Sequence, residues 1–183
     1  MARSLRSLCA MLLPFRLTWS AVGLVLIGAI SLGCGPRTRF DGTTFHKGGV
    51  SYRVGQLSPE WQRVHLEGND LAFHRPSFGT VSVTARCEDY DDVPMRVLLN
   101  QLLFGTTHRK YLTDEEVTLD GRGALHAVTE AELDGVPVRL ENYILVRSGC
   151  LFDLSYVGSL SAPGSDEFNQ FVRAFHIESV GHD

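Results

Sequence analysis

Positive charge is in short supply in this chain. Across 183 residues, 17 Lys and Arg stand against 21 Asp and Glu. Arg3, Arg6 and Arg16 fall in the first 33 residues, which hold no acid, so everything from Cys34 onward carries a net charge of −7. Nucleic-acid binders gather basic residues into a patch, so that class is excluded as a partner. Cysteine is scarce too: four residues are too few for a disulfide-dense miniprotein, and none are spaced as CxxC. The seven histidines show no HxH, HExxH or Cys-His spacing, so no metal site can be read from them. There is no GxSxG to seat a nucleophilic serine, and Gly121-Arg122-Gly123 is too short for a phosphate loop. The acidic run Glu88–Asp92 and the group Asp114-Glu115-Glu116 lack the alternating oxygen donors of a calcium loop. No catalytic, cofactor or metal-binding residue is assigned.

What is present begins at the N-terminus. The three arginines precede or border an apolar stretch, Leu17–Leu32, broken only by Thr18, Ser20 and Ser31. It is long for an export segment and short for a membrane span. Its end, Ser31-Leu32-Gly33-Cys34, resembles the lipobox of bacterial lipoproteins, with Ser31 standing where that family usually carries Leu, Val or Ile. Small side chains before the cysteine admit the signal peptidase, and the freed thiol takes a diacylglycerol. The resemblance implies a signal peptide over 1–33, lipidation at Cys34, and attachment to membrane lipid through the acyl chains of that residue. Each buried CH₂ contributes about 0.8 kcal/mol, and durable attachment takes more than one chain. Gly35, in place of the aspartate that retains such proteins in the inner membrane, implies the outer membrane facing the periplasm. The competing reading of the same run is an uncleaved anchor helix with Cys34 incidental. Cys9 lies within the leader and needs no role.

Residues 34–49 mix Gly, Thr, Pro and charge without a period and are expected to be a flexible tether. Residues 50–183 are expected to form a single domain. Trp61–Leu66 and Asn69–Phe73 suggest a hairpin, with Trp61 read as core. Phe78–Cys87 is a strand, because Val81, Val83 and Ala85 alternate with Ser82, Thr84 and Arg86. A helix follows, with Asp92 as its cap, Pro94 in its first turn and Gly105 at its end. Met95, Leu98, Leu99, Leu102 and Leu103 form its apolar stripe. Strands are expected at Lys110–Leu119, Arg122–Leu133, Val136–Val146 and Cys150–Val157. Asp134-Gly135 forms a type I′ turn, and a bulge is expected near Glu141-Asn142. The last element is a helix over Ser165–Phe175, capped by Ser165, with Asp166 and Glu167 at its positive end.

That order gives an α+β class: one curved antiparallel sheet packed against two helices, with no βαβ crossover. From Ser58 to Ile177 the element order and size resemble the Mog1/PsbP-like fold. The resemblance is carried by Leu71-Ala72-Phe73 with Pro76, by the hairpin at 123–138, and by Phe168, Phe171, Val172 and Phe175. It implies an accessory that binds protein and brings no catalytic residues with it.

Cys87 ends one strand and Cys150 begins another. If those ends adjoin, an oxidising compartment pairs them as a disulfide; otherwise they are two buried thiols. Asp153 interrupts an apolar strand, as part of a half-exposed face or as a buried partner for Arg139 or Arg147. The leading function is therefore a non-catalytic, lipid-anchored envelope protein that binds another envelope protein. The alternatives are a carrier or sensor for an apolar or small-molecule ligand, and an envelope hydrolase with an unfamiliar site. A large apolar pocket would favour the carrier, and a filled interior the protein binder.

Overall fold

The computed structural model describes residues 38–162 and 164–181. The leader, Cys34, Gly35 and His182 lie outside the described residues. The elements are β1 (Arg39–Phe40), β2 (Thr44–Lys47), β3 (Val50–Arg53), β4 (Gln62–Arg63), β5 (Leu71–Arg75), β6 (Gly79–Cys87), α1 (Met95–Leu102), β7 (Thr106–Leu119), β8 (Arg122–Leu133), β9 (Val136–Arg147), β10 (Cys150–Gly158), α2 (Ser165–Arg173) and β11 (His176–Val180). Seven strands form one antiparallel sheet in the order β4-β5-β6-β10-β9-β8-β7. A second sheet, in the order β1-β2-β3-β11, joins the two ends of the domain. The class is α+β with antiparallel sheets and two helices, as the element order implied.

The small sheet corrects the expected tether. Phe45 alternates with exposed neighbours in β2 and is fully buried, with its ring stacked on Tyr52 at 5.1 Å. β1 and β2 are therefore part of the domain, held by pairing with β3, which in turn pairs with β11.

The centre of the large sheet is covered on both faces. On one face, α2 and the small sheet cover Val81, Val83, Leu145, Phe152 and Leu154. On the other, α1 lays Leu98, Leu99 and Leu103 over Leu125, Ala127, Leu140, Ile144 and Leu151. β9 alternates between the two cores: Leu140 and Ile144 face α1, while Tyr143 and Leu145 face α2. This accounts for its irregular-looking sequence. β9 pairs with β8 and β10 without a register shift, so the bulge expected at Glu141-Asn142 is absent. In the large sheet the register shifts lie in edge strand β7, between Thr107 and Lys110 and between Tyr111 and Thr113. Such irregularities discourage a free edge from pairing with other chains.

The tight turn of β8–β9 holds Asp134 at φ 51° and Gly135 at φ 79°, the left-handed pair that a type I′ hairpin needs. Asp92 does not cap α1, which starts after Pro94 with no side-chain cap. The neighbouring Asp91 instead accepts from Gly149 N–H at 2.9 Å, tying the acidic loop to the β9–β10 turn. Ser165 does not cap α2 either. Gly164 holds that position, and the Ser165 hydroxyl donates to Glu141. Glu167, in the first turn of α2, accepts from Trp61 Nε1 at 3.0 Å and Arg75 Nη1 at 2.6 Å. It locks the buried Trp61 and the segment before β4 onto the helix.

Candidate binding face

Cys87 and Cys150 sit directly opposite each other in the β6–β10 ladder, with Cα atoms 4.0 Å apart, and are joined by a disulfide with an S–S distance of 2.01 Å. The bond seals the end of the sheet beside an open surface cavity of about 510 Å³. Lys47, Asp70, Arg86 and Glu88 are among its lining residues. Lys47 reaches the buried Asp70 at 2.7 Å, and Asp70 Oδ2 also accepts from Ala85 N–H at 2.7 Å. The charges of that cavity are thus largely engaged in holding the small sheet to β6.

A second constellation lies under α2. His126 Nε2 is 3.0 Å from Glu141 Oε1, and its Nδ1 is 3.4 Å from Glu115. The ring stacks on Tyr143 at 4.2 Å, and Tyr143 donates its hydroxyl hydrogen to Asn169 at 2.7 Å. Burial disfavours the imidazolium, but hydrogen bonds to Glu141 and Glu115 outweigh it and hold its pKa above the ordinary value. Serine, carboxylate and histidine meet here in the wrong order for nucleophilic catalysis. Ser165 and His126 both donate to Glu141, so the imidazole has no free lone pair facing the hydroxyl. The cluster fastens α2 to the sheet.

The third constellation is on the α1 face, where β6, β10 and β9 run beyond the cover of the helix. Two cross-strand rows place Thr84 beside Asp153, and Ser82 beside Ser155 and Asn142. Leu102, the Glu67–Asn69 loop, Leu140 and Val157 complete a recess of about 280 Å³. Asn142 Nδ2 donates to Ser155 Oγ at 2.7 Å, and Ser155 Oγ donates to Asp153 Oδ1 at 3.1 Å. Asp153 is only 3% exposed. Its Oδ2 and the Asn142 Oδ1 are buried and accept no hydrogen bond. Burial, only partly offset by Arg86, raises the Asp153 carboxyl to a pKa of about 6.

Asp153 is therefore buried, which excludes the half-exposed reading. Its cationic neighbour is Arg86, with Nη2 at 3.8 Å from Oδ2. Arg139 pairs with Glu130, and Arg147 with Asp120. Alternation put Ser82 and Thr84 on one face of their strand and Asp153 with Ser155 on one face of theirs, but it gave no sign that the two faces adjoin or that Asn142 of β9 completes them. Among the described residues, no group of three or more His, Cys, Asp or Glu is placed to hold a metal ion. Among the same residues, no helix is long and apolar enough to cross a membrane.

The outer surface of α1 is apolar at its end. Phe104 is 88% exposed, and Val97 is also exposed on the helix. Tyr111 of β7 is exposed beside them and donates to Asn100 Oδ1 at 3.3 Å.

No family model matches the chain, and neither does any curated protein. Solved structures do resemble it. One is a Bacteroides thetaiotaomicron protein, at TM-score 0.53 and 14% identity, covering 78% of this chain and 50% of that one, so this chain spans half of its length. A second is LpqN of Mycobacterium tuberculosis, described as involved in cell envelope biogenesis, at TM-score 0.51 and 14% identity, covering 72% and 87%. A third is the cyanobacterial PsbP (CyanoP) of Synechocystis, at TM-score 0.50 and 14% identity, covering 86% and 98%. At these identities the likeness establishes architecture alone: the described domain has an α+β fold similar to that of PsbP.

Proposed function

We propose that the chain is a lipid-anchored protein of a bacterial cell envelope that works by binding another protein and catalyses no reaction of its own. The observation that carries this reading is Phe104. Phe104, 88% exposed just after α1, together with Val97 exposed on the helix and Tyr111, which hydrogen-bonds Asn100 of that helix, supplies exposed apolar and aromatic side chains of the kind that anchor protein interfaces. The interior argues against carriage of an apolar ligand. The rings of Phe45, Tyr52, Phe152, Phe168, Phe171 and Phe175 fill the space between the small sheet, α2 and the large sheet. The cavities beside the disulfide and around Asp153 open at the surface and carry polar groups.

The anchor rests on Ser31-Leu32-Gly33-Cys34, and the outer-membrane, periplasm-facing address on Gly35. The envelope role described for LpqN is in keeping with that address. A photo-crosslinking amino acid placed at Phe104 in the native envelope tests the binding claim, with the same residue at exposed Arg122 as control. One discrete adduct at 104 and none at 122 is expected. No adduct at 104, or the same diffuse pattern at both positions, overturns the reading.

A further inference from the structure

We infer that the recess around Asp153 is a receptor for a primary ammonium group, and that the group is a lysine side chain of the protein partner. The inference rests on the protein-binding reading above and deepens it. The recess has two unused hydrogen-bonding atoms, Asp153 Oδ2 and Asn142 Oδ1, and both are acceptors. Asn142 Nδ2 donates to Ser155 Oγ, and Ser155 Oγ donates in turn to the carboxylate. Whatever completes the site must therefore bring N–H or O–H groups.

Charge selects between them. Glu67 and Asp153 against Arg86 leave the lining one negative charge in excess, so a single cation is favoured over a neutral hydroxyl. Arg86 does not fill this role. Its Nη2 stands 3.8 Å away, beyond hydrogen-bond reach, and its side chain is 45% exposed at the rim. Shape selects the source. Leu102, Leu140 and Val157 offer apolar wall to a methylene stem, while the acceptors lie buried below. A lysine has that division of character, an apolar stem with three N–H donors at its tip. The recess is tied to the proposed interface through the chain: Leu102, which lines it, stands two residues before the exposed Phe104.

The test uses the full-length protein in detergent micelles and two probes, Nα-acetyl-lysine methylamide and its uncharged isostere Nα-acetyl-norleucine methylamide. Binding is read from the backbone amide NMR shifts of Thr84, Asp153 and Ser155. The lysine probe is expected to give saturable shifts at least tenfold tighter than norleucine. Asp153→Asn is expected to weaken lysine binding tenfold or more. Arg86→Ala, at an exposed position that leaves the core intact, is expected to tighten it several-fold by removing a competing cation. Equal binding of the two probes, or looser binding to Arg86→Ala, overturns the inference. A silent lysine probe alongside a robust adduct at position 104 overturns the ammonium site and leaves the protein-binding reading standing. Lysine binding with no partner at 104 overturns the protein source, leaving a small amine as the ligand.

Discussion

Cys87 and Cys150 face each other across the β6–β10 ladder, one closing its strand and the other opening its own. The bond between them spans a sequence separation of 63 residues. In the chain-entropy model, a loop of that length stabilises the fold by about 4 kcal/mol, a large share of what a domain of this size has. A Cys87→Ser, Cys150→Ser double variant is expected to unfold at markedly lower denaturant concentration, with a somewhat steeper denaturant slope because the unlinked denatured chain exposes more surface. Thiol alkylation of the folded parent should label neither residue before reduction and both after it. Full labelling before reduction, or an unchanged unfolding midpoint, would refute the stabilising role.

Asp153 gives the domain an acid preference at one site. Its carboxyl titrates at about 6 in the fold, against 3.8 in the open chain. Between those values the native state holds a proton that the unfolded state has lost, so stability falls as pH rises through the interval. The groups facing it are Arg86 on β6, which favours ionisation, and Asp70, which opposes it. A shift of this size corresponds to roughly 3 kcal/mol of penalty at neutral pH. Asp153→Asn is expected to flatten the pH dependence of thermal unfolding between pH 4 and 6 and to raise stability at pH 7. A variant that keeps the parent's slope, or loses stability at pH 7, would show that ionised Asp153 is well accommodated.

His126 works in the same sense at higher pH. Its pKa is raised by Glu141 and Glu115 in spite of burial, and the hydrogen bond from His126 in turn helps lower that of Glu141. A histidine with a raised native pKa contributes stability that is complete below its unfolded value and is lost as pH rises through the folded one. The imidazolium is what holds Glu141, and through Glu141 the Ser165 end of α2. Glu141→Gln is therefore expected to drop the His126 titration midpoint, read from its ring proton NMR signals. It should also reduce the loss of stability as pH rises through the His126 titration. An unmoved midpoint would show that Glu115, or desolvation, governs the ring.

The large sheet was mostly legible in the sequence because its signals are local. Asp134-Gly135 forces one turn, the leucines of α1 recur at helical spacing, and Val81, Val83 and Ala85 alternate. The small sheet was not, because β1 and β2 offer a single fully buried side chain, Phe45. The sheet is closed only by β11, some 130 residues further along the chain. β9 misled for a physical reason: alternation marks a strand with one wet face, and both faces of β9 are dry through much of its length. Asp153 showed the same limit. Its place on β10 was readable, but its burial depends on Leu102 of α1 and the Glu67–Asn69 loop, which approach from elsewhere in the chain.

The anchor is tested at Cys34. Gly33-Cys34 ends an apolar run that follows three arginines, and the first strand of the domain begins only five residues later, at Arg39. Removing the thiol removes the atom that would take the diacylglycerol, and residue 34 lies outside the described elements of the domain. Cys34→Ser is therefore expected either to stall as a full-length precursor or to release a folded, soluble domain, with the Cys87–Cys150 bond intact in both. Fractionation with mass measurement of the processed chain separates these outcomes. Acylation of the parent should add the mass of its lipids at residue 34. A processed Cys34→Ser chain that still sediments with the membrane would mean that the domain holds the bilayer by its own surface. The exposed Phe104, Val97 and Tyr111 would then need to be reconsidered as lipid contacts.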